Sequence, residues 1–402
     1  GGYVYGVEAA SLSYFNKPAK DLTLPECAYL AGITQAPSYY SAYNTEEEDY
    51  PNTYLDRTKA VLMKMLELHY IEAYAFVDSN SFEFNAAEIS YSVDYEWFVY
   101  PALDQVRSDL KEKYKYTDEE ISKLFVNGGL KIYTTMNRTM QDGVQAVLDD
   151  RSNLDVKING SYSEEPLTNE GVYMLQSAAT VMDYKTGEVK ALIGGRGKQP
   201  ANSLNRAYDD LKSIASNTKP LTVYGPAIDT KNYTAATPID DSPLTNEELS
   251  NFGYSFQPTN WNGVYDGLIT PREAIMYSKN ITSLKVVYNL GLSTALEYGK
   301  KSGLIYNSES SKSIATLALG EFNNDPSDRD GGNTTILASA YGSFGNKGIR
   351  TEAILYTKVI DSTGKVILDK TADTTKLFSE ETAYIMYDIL KGPVTGFDAG
   401  GA

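Results

Sequence analysis

The chain has 402 residues, 42% of them hydrophobic and 22% charged, an ordinary globular composition that leaves room for about two to three domains. A formal net charge of −17 argues against nucleic-acid binding, because no basic surface is available to neutralise phosphates. Since His69 is the sole histidine and Cys27 the sole cysteine, a Ser-His-Asp hydrolase, a zinc site and an internal disulfide are all disfavoured.

No stretch of the chain offers the roughly 18 apolar residues that a transmembrane helix needs. The opening residues Gly1, Gly2 and Tyr3 lack the basic and apolar regions of a signal peptide. We therefore expect any membrane anchor of the protein to lie outside this sequence. We expect neither a metal nor an organic cofactor.

The first 85 residues predict helices. Thr23 is a good N-terminal cap, and Pro25 and Glu26 follow it in the first turn of a helix. Between Leu55 and Leu68 the apolar residues recur on one helical face, which indicates an amphipathic helix. We assign residues 1–85 to an all-α region.

Strands and turns become frequent later in the chain. Residues 86–165 contain a predicted helix, Ala102 to Tyr114, and a strand of period two, Leu130 to Thr135. From residue 166 onward, two hairpins surround helical segments, which predicts an α/β domain with an antiparallel sheet over residues 166–402. The hairpin strands are Ser177 to Met182 with Val189 to Ile193, and Leu355 to Ile360 with Lys365 to Leu368; the helical segments are 216–228, 271–290 and 334–346.

Ser216 and Lys219 place a hydroxyl and an amine three residues apart. In a helical turn both side chains project from one face, and the flanking residues are apolar enough to bury that face. Burial disfavours the ammonium form of a lysine and lowers its pKa, which produces a base able to deprotonate serine without histidine. An isolated S-x-x-K is common by chance, and its ordinary interpretation is a solvated helix start.

A second motif, Ser278-Lys279-Asn280, follows downstream. A second serine can relay a proton to a leaving amine, and an asparagine can hold both the lysine and a substrate amide. By itself S-x-N is equally common, and its ordinary interpretation is a polar position on a helix.

Several segments around the two motifs carry a family resemblance. They are Gly129–Asn137, Asn205–Ala207, Ser216–Ile228, Phe256–Trp261, Thr270–Asn280, Ala318–Gly320 and Leu337–Gly348. In this order they resemble the transpeptidase domain of the class A (bifunctional) penicillin-binding proteins. The resemblance implies that Ser216 is the nucleophile and Lys219 its base, with Ser278 as proton relay and Asn280 as a substrate-binding residue.

The beginning of the chain is similar to the other enzyme of that family. Tyr5–Ala10, Tyr14–Lys17, Asp21–Gly32 and Gln35–Ser38 resemble the last part of its lysozyme-like glycosyltransferase domain. The resemblance implies that residues 1–85 are the C-terminal part of that domain, residues 86–165 a linker and residues 166–402 the transpeptidase domain. We interpret Glu8 and Glu26 as packing residues, since the catalytic glutamates of the family lie upstream of these segments.

The chain departs from the family pattern in three ways. Ile214-Ala215 stands where the family usually has Pro-Gly, a change that costs little if φ at residue 215 is negative. No K-T-G follows the S-x-N motif; Lys185-Thr186-Gly187 precedes the active serine and predicts a hairpin turn, and Val394-Thr395-Gly396 lacks the lysine. We also expect the chain to be a piece of its parent, cut at both ends and truncated before the third motif.

The family implies a role in peptidoglycan synthesis at the extracytoplasmic face of the bacterial cell membrane. Expected partners are stem peptides ending in D-Ala-D-Ala, lipid-linked disaccharide for the parent glycosyltransferase, and β-lactams as inhibitors. Two alternatives to a D,D-transpeptidase stay open. One is a D,D-carboxypeptidase or β-lactam-hydrolysing relative, and the other is a catalytically degenerate cell-wall scaffold.

Overall fold

A computed structural model describes residues 6–37, 39–42, 53–73, 75–76, 94–150, 152, 167–168, 171–200, 203–325 and 327–395. The chain divides into two compact units, residues 1–92 with 122–128 and residues 93–121 with 129–402. The domain limits expected at residues 85/86 and 165/166 lie outside the described residues. In the ranges given above, none of the helices is long and apolar enough for a membrane crossing.

The first unit is helical in its described part. Its helices are α1 (Val7–Phe15), α2 (Leu24–Ile33) and α3 (Thr53–Glu67). The predicted start of α2 is confirmed, because the Thr23 N–H donates to the Glu26 carboxylate (2.7 Å) within a capping box. The predicted amphipathic helix is confirmed as α3.

Glu8 and Glu26 both hold neighbouring chain segments in this unit. Glu8 accepts a hydrogen bond from the Ala19 N–H (2.9 Å), and Glu26 forms an ion pair with Lys17 (2.8 Å). The core beside them is built around the buried ring of Tyr29. These contacts agree with the interpretation of Glu8 and Glu26 as packing residues.

The second unit contains the other described elements, and α5 (Asp118–Asn127) is divided between the two units. The helices are α4 (Glu96–Tyr114), α6 (Arg138–Asp149), α7 (Gly225–Asp229), α8 (Asn246–Phe252), α9 (Pro271–Met276), α10 (Asn280–Leu290), α11 (Leu292–Lys301), α12 (Ile314–Leu319), α13 (Thr334–Gly345), α14 (Glu380–Ile389) and α15 (Gly392–Thr395). The strands are β1 (Lys131–Thr134), β2 (Ala179–Met182), β3 (Val189–Ile193), β4 (Ile239–Asp241), β5 (Gly267–Ile269), β6 (Ile349–Thr351), β7 (Tyr356–Ile360), β8 (Val366–Asp369) and β9 (Thr374–Lys376).

The strands of the second unit pair antiparallel, as predicted. They form a sheet of order β1-β7-β8 and the pairs β2-β3, β4-β5 and β6-β9, so both predicted hairpins are confirmed. Register shifts interrupt the β1-β7, β2-β3 and β7-β8 ladders, and such irregularities bend strands and keep sheets small. The fold is therefore an α/β domain with several small antiparallel sheets.

The largest apolar core of this unit surrounds α10. Ile281, Leu284, Val286 and Val287 of this helix are all buried. The helix packs against α12 and against the helical segment that follows Ser216. This core therefore joins the two sequence motifs into one rigid region.

The Lys185-Thr186-Gly187 segment forms the predicted turn of the β2-β3 hairpin. The Gly187 N–H donates to the Asp183 carbonyl (2.8 Å), and Gly187 has a φ of +81°. A Cβ at this glycine would lie 2.3 Å from the Glu352 carbonyl oxygen. The turn thus needs a residue without a side chain, both for its backbone conformation and for its packing.

We predict that Gly187→Ala destabilises the protein more than Gly364→Ala. Gly364 has a φ of +87° in the β7-β8 turn, and a Cβ there meets nothing within 4 Å, so its substitution costs only backbone strain, about 1–2 kcal/mol. Gly187→Ala adds overpacking, about 1–3 kcal/mol more. Equal free energies of unfolding for the two variants in urea titrations contradict this packing.

Candidate active site

The S-x-x-K segment is helical, as predicted, but in two unusual forms. Ala215–Thr218 is a 3₁₀-helix and Lys219–Tyr224 a π-helix, followed by α7. In a 3₁₀-helix the side chains at i and i+3 eclipse, so this turn favours placing Ser216 and Lys219 on the same side of the segment. Pro220, which has no N–H to donate, lies at the change of helix type.

Lys219 is buried, with a relative exposure of 2%. Its Nζ lies 2.8 Å from the Ser278 carbonyl oxygen, 3.1 Å from Ser278 Oγ and 2.8 Å from Asn280 Oδ1. In the part of the chain that the structure describes, no carboxylate forms an ion pair with it. Burial without a counter-charge lowers the pKa of Lys219 to about 7.

These contacts suit a neutral as well as a charged lysine. Two of the acceptors, the Ser278 carbonyl and Asn280 Oδ1, can only accept, whereas the Ser278 hydroxyl can also donate. A neutral amine has two hydrogens for the first two acceptors and a lone pair for the third. The Lys219 side chain can therefore exchange a proton with Ser278 without any rearrangement of heavy atoms.

Ser216 is exposed to solvent at the end of this arrangement. Its hydroxyl has no hydrogen-bond partner among the described residues. Two hydrogen bonds to neighbouring helices hold this segment in place. The Tyr341 hydroxyl of α13 donates to the Asn217 carbonyl (2.8 Å), and Thr222 Oγ1 donates to the Leu317 carbonyl of α12 (2.6 Å). A rigid segment thus presents an accessible nucleophile.

The residue before Ser216 is strained. Ala215 has a φ of +46°, so the condition under which alanine costs little here, a negative φ, is not met: a left-handed backbone costs a residue with a Cβ about 1–2 kcal/mol. The Ala215 N–H donates to the Gly320 carbonyl (3.2 Å). A Cβ on Gly320 would lie 2.2 Å from the Ala215 carbonyl oxygen, so Gly320 permits the close approach that holds this turn.

The S-x-N motif lies at a helix break, which corrects the prediction of one helix over 271–290. Helix α9 ends in a Schellman motif, in which the Ser278 N–H donates to the Ile275 carbonyl (3.1 Å) and the Lys279 N–H to the Ala274 carbonyl (2.8 Å). Ser278 takes the left-handed position with a φ of +48°, where glycine is usual. The break turns Ser278 and Asn280 towards Lys219.

The structure therefore brings Lys219, Ser278 and Asn280 into direct contact, with Ser216 one 3₁₀ turn before the lysine. Sequence reasoning missed the supports of this cluster, Asn260 and Asp241. Asn260 Oδ1 accepts the Asn280 N–H (2.8 Å), and its Nδ2 donates to Asp241 Oδ1 (2.8 Å). The segment around Asn260 belongs to the family resemblance, whereas no motif marks Asp241.

Two family models match the chain. The model described as Transglycosylase matches residues 1–66. The model described as Penicillin binding protein transpeptidase domain matches residues 177–401, which is more than half of the chain and includes Ser216, Lys219, Ser278 and Asn280.

The similar curated proteins are penicillin-binding proteins of bacteria. Penicillin-binding protein 1A of Clostridium perfringens strain 13 is 51% identical over 100% of the chain, which covers 60% of that relative. Penicillin-binding protein 1A of Clostridium acetobutylicum is 46% identical over 98% of the chain and 48% of the relative. The chain thus spans about half to three fifths of the length of the curated relatives it matches.

Solved structures share the fold at lower identity. The crystal structure of penicillin-binding protein 1A from Haemophilus influenzae has a TM-score of 0.63 at 18% identity, over 98% of this chain and 71% of that one. The PonA1 protein from Mycobacterium tuberculosis in complex with penicillin V has a TM-score of 0.51 at 21% identity, over 70% and 67%.

We predict that Ala215→Gly stabilises the protein by up to about 1.6 kcal/mol. Glycine removes the left-handed strain, about 1–2 kcal/mol, and loses about 0.4–1 kcal/mol through the greater freedom of the unfolded chain. Ala227→Gly within α7 is the control, and it should destabilise by at least about 0.5–1 kcal/mol. Chemical unfolding that gives both variants the same sign contradicts the left-handed turn before Ser216.

Proposed function

The chain belongs to the class A penicillin-binding proteins, and we propose that its second unit is a serine D,D-transpeptidase that cross-links peptidoglycan stem peptides. The proposal rests on the environment of Lys219, which is buried and has no carboxylate partner among the residues that the structure describes; this environment lowers its pKa to about 7. A lysine that is substantially neutral at physiological pH can accept the proton of Ser216. The eclipsed geometry of the 3₁₀ turn supports the pairing of these two residues.

The reaction proceeds through an acyl-enzyme. Ser216 Oγ attacks the carbonyl carbon of the penultimate D-alanine while the Lys219 amine accepts the hydroxyl proton. The tetrahedral intermediate collapses, its peptide C–N bond breaks, and the proton passes from Lys219 through the Ser278 hydroxyl to the leaving D-alanine amine. The product is an ester between the stem peptide and Ser216.

An amine from a neighbouring stem then resolves the ester. It attacks the ester carbonyl, gives its proton to Lys219 through Ser278, and forms the cross-linking amide while Ser216 regains its hydrogen. Asn280 is held by its Nδ2, which donates to the Thr259 carbonyl (3.1 Å), and by its Oδ1, which accepts from Lys219; in this proposal the second hydrogen of Nδ2 orients the peptide. This sequence of steps requires no metal or organic cofactor.

The two alternatives differ from this proposal in distinct ways. A carboxypeptidase or β-lactamase uses the same first half-reaction and transfers the acyl group to water. A degenerate scaffold needs no reactive lysine, yet a lysine whose pKa falls from 10.5 to about 7 carries an ammonium form destabilised by roughly 5 kcal/mol. That cost favours an enzyme over a scaffold.

For the whole protein we propose peptidoglycan synthesis at the outer face of the cytoplasmic membrane. The match of residues 1–66 to the Transglycosylase model supports a second activity that polymerises lipid-linked disaccharide. Catalytic residues for that activity are not assigned to Glu8 or Glu26, whose carboxylates are engaged in packing contacts. β-Lactams, which mimic the D-Ala-D-Ala terminus, acylate Ser216 and stay bound.

We predict that Ser216→Ala abolishes covalent labelling of the full-length gene product by a fluorescent penicillin, because alanine lacks the hydroxyl oxygen on which the proposed ester forms. Ser308→Ala, which changes an exposed turn serine, should be labelled like the wild type. Labelling is read on a denaturing gel and its position by peptide mass spectrometry. Undiminished labelling of Ser216→Ala refutes the assignment of the nucleophile.

We also predict that the rate of penicillin acylation rises with pH through a midpoint near 7. Below the Lys219 pKa of about 7 the lysine is protonated and cannot accept the serine proton, so the rate falls about tenfold per pH unit. Above the midpoint the rate reaches a plateau. Stopped-flow acylation between pH 5 and 9, corrected for spontaneous penicillin hydrolysis, measures the profile, and a flat profile contradicts the role of Lys219.

A further inference from the structure

The middle residue of the S-x-N motif is a buried lysine with a complete set of partners. Lys279 has a side-chain exposure of 1%, and its Nζ contacts Asp241 Oδ2 (3.1 Å), the Val264 carbonyl oxygen (3.1 Å) and the Asp266 carboxylate. Burial alone lowers the pKa of a lysine, but the bonds to Asp266 and Asp241 outweigh it and raise the pKa of Lys279 above its ordinary value. Lys279 is therefore a fixed cation.

Asp241 is the acceptor at the centre of this cluster. Its side chain is 0% exposed, and besides Lys279 it accepts the Asn260 Nδ2 (2.8 Å and 3.1 Å to its two oxygens) and the Asp266 N–H (3.0 Å). It is the last residue of β4, paired in register with Gly267 of β5. A buried carboxylate with two hydrogen-bond donors and a cationic partner has one stable position.

Asn260 connects this carboxylate to the helix that carries Asn280. Its Oδ1 accepts the Asn280 N–H (2.8 Å) and the Ile281 N–H (3.3 Å), the first donors of α10. Lys279, at the N-cap position, makes no side-chain capping bond. Asn260 thus performs the capping from a distant segment. Its orientation depends on the bonds from its Nδ2 to Asp241 and to the Val264 carbonyl (2.9 Å).

The turn needs such a tether because its own backbone is strained. Ser278 has a φ of +48°, which costs about 1–2 kcal/mol for a residue with a Cβ. Its carbonyl and hydroxyl and the Asn280 amide are the three partners of Lys219. A turn that relaxes towards ordinary dihedral angles carries these partners away from the lysine and admits water.

We propose that Asp241 is a positioning residue for the acylation step, which acts through Lys279 and Asn260 to hold Ser278 and Asn280 against Lys219. The inference rests on the proposed function, since it assigns a support to the groups that perform that reaction. Among the described residues, Asp241 forms no hydrogen bond with Lys219 or Ser278. Asp241 acts through the side chain of Lys279, the middle residue of the motif, and through Asn260, which caps α10.

The experiment compares Asp241→Asn with Asp240→Asn in the full-length gene product. The control residue lies on the same strand and pairs with Lys285 of the same helix α10 (2.9 Å). Its side chain is 51% exposed, and Lys285 lies more than one turn beyond the start of that helix. Each variant is assayed for its penicillin acylation rate, the pH midpoint of that rate and thermal unfolding.

Asp241→Asn should slow acylation by about tenfold or more, as expected for small displacements of reacting groups. Its pH midpoint should move upward, because water that reaches Lys219 restores part of the ordinary lysine pKa. Asp240→Asn should keep the rate and the midpoint of the wild type. A purely structural role lowers the unfolding temperature and leaves the midpoint unchanged, and that result overturns the inference.

Two further outcomes separate the positioning role of Asp241 from the proposed function itself. If Asp241→Asn does not fold, Asp266→Asn takes its place, since that partner of Lys279 is 44% exposed; a smaller shift in the same direction supports the inference and a wild-type profile overturns it. If the wild type itself is not labelled at Ser216, the proposed function fails. If it is labelled and Asp241→Asn behaves like Asp240→Asn, only the positioning role fails.

Discussion

The burial of Lys219, with no carboxylate partner in the described part of the chain, is the constraint on which the rest of the site depends. At a pH near its pKa of about 7, a lysine in that environment is neutral about half the time, so its amine can both accept and donate a proton. The environment persists only while the three contacts with Ser278 and Asn280 exclude water from Nζ. The structure around the lysine, including the strained turns at Ala215 and Ser278, maintains those contacts.

The strain is concentrated on either side of the lysine. Ala215 precedes the exposed serine and Ser278 contacts Nζ, and both adopt left-handed backbone conformations that glycine would adopt without cost. Each is held by neighbours, Ala215 by the close approach of Gly320 and Ser278 by the Schellman bonds that end α9. Strain that persists at reacting groups, supported by packing elsewhere, is the usual arrangement of an active site.

Sequence patterns, together with the family resemblance, predicted many of the elements and singled out the four proposed site residues, but they did not identify the supports of the site. Hydrophobic periodicity and turn residues predicted the hairpins and the amphipathic helix α3, because each pattern is local. The break at Ser278 was missed since no glycine or proline marks it. Asp241 carried no signal at all, because its partners Asn260 and Lys279 become neighbours only through tertiary packing.

Two lysines that reach the same turn show how environment divides their roles. Lys219 and Lys279 are both buried, yet burial without a counter-charge lowers the pKa of the first, whereas two carboxylates raise the pKa of the second. The charged lysine anchors the backbone between Ser278 and Asn280, and these two residues in turn enclose the neutral one. In the proposed reaction a fixed cation and a proton carrier therefore depend on one three-residue turn, and a change around Lys279 alters the surroundings of Lys219 without direct contact between the two side chains.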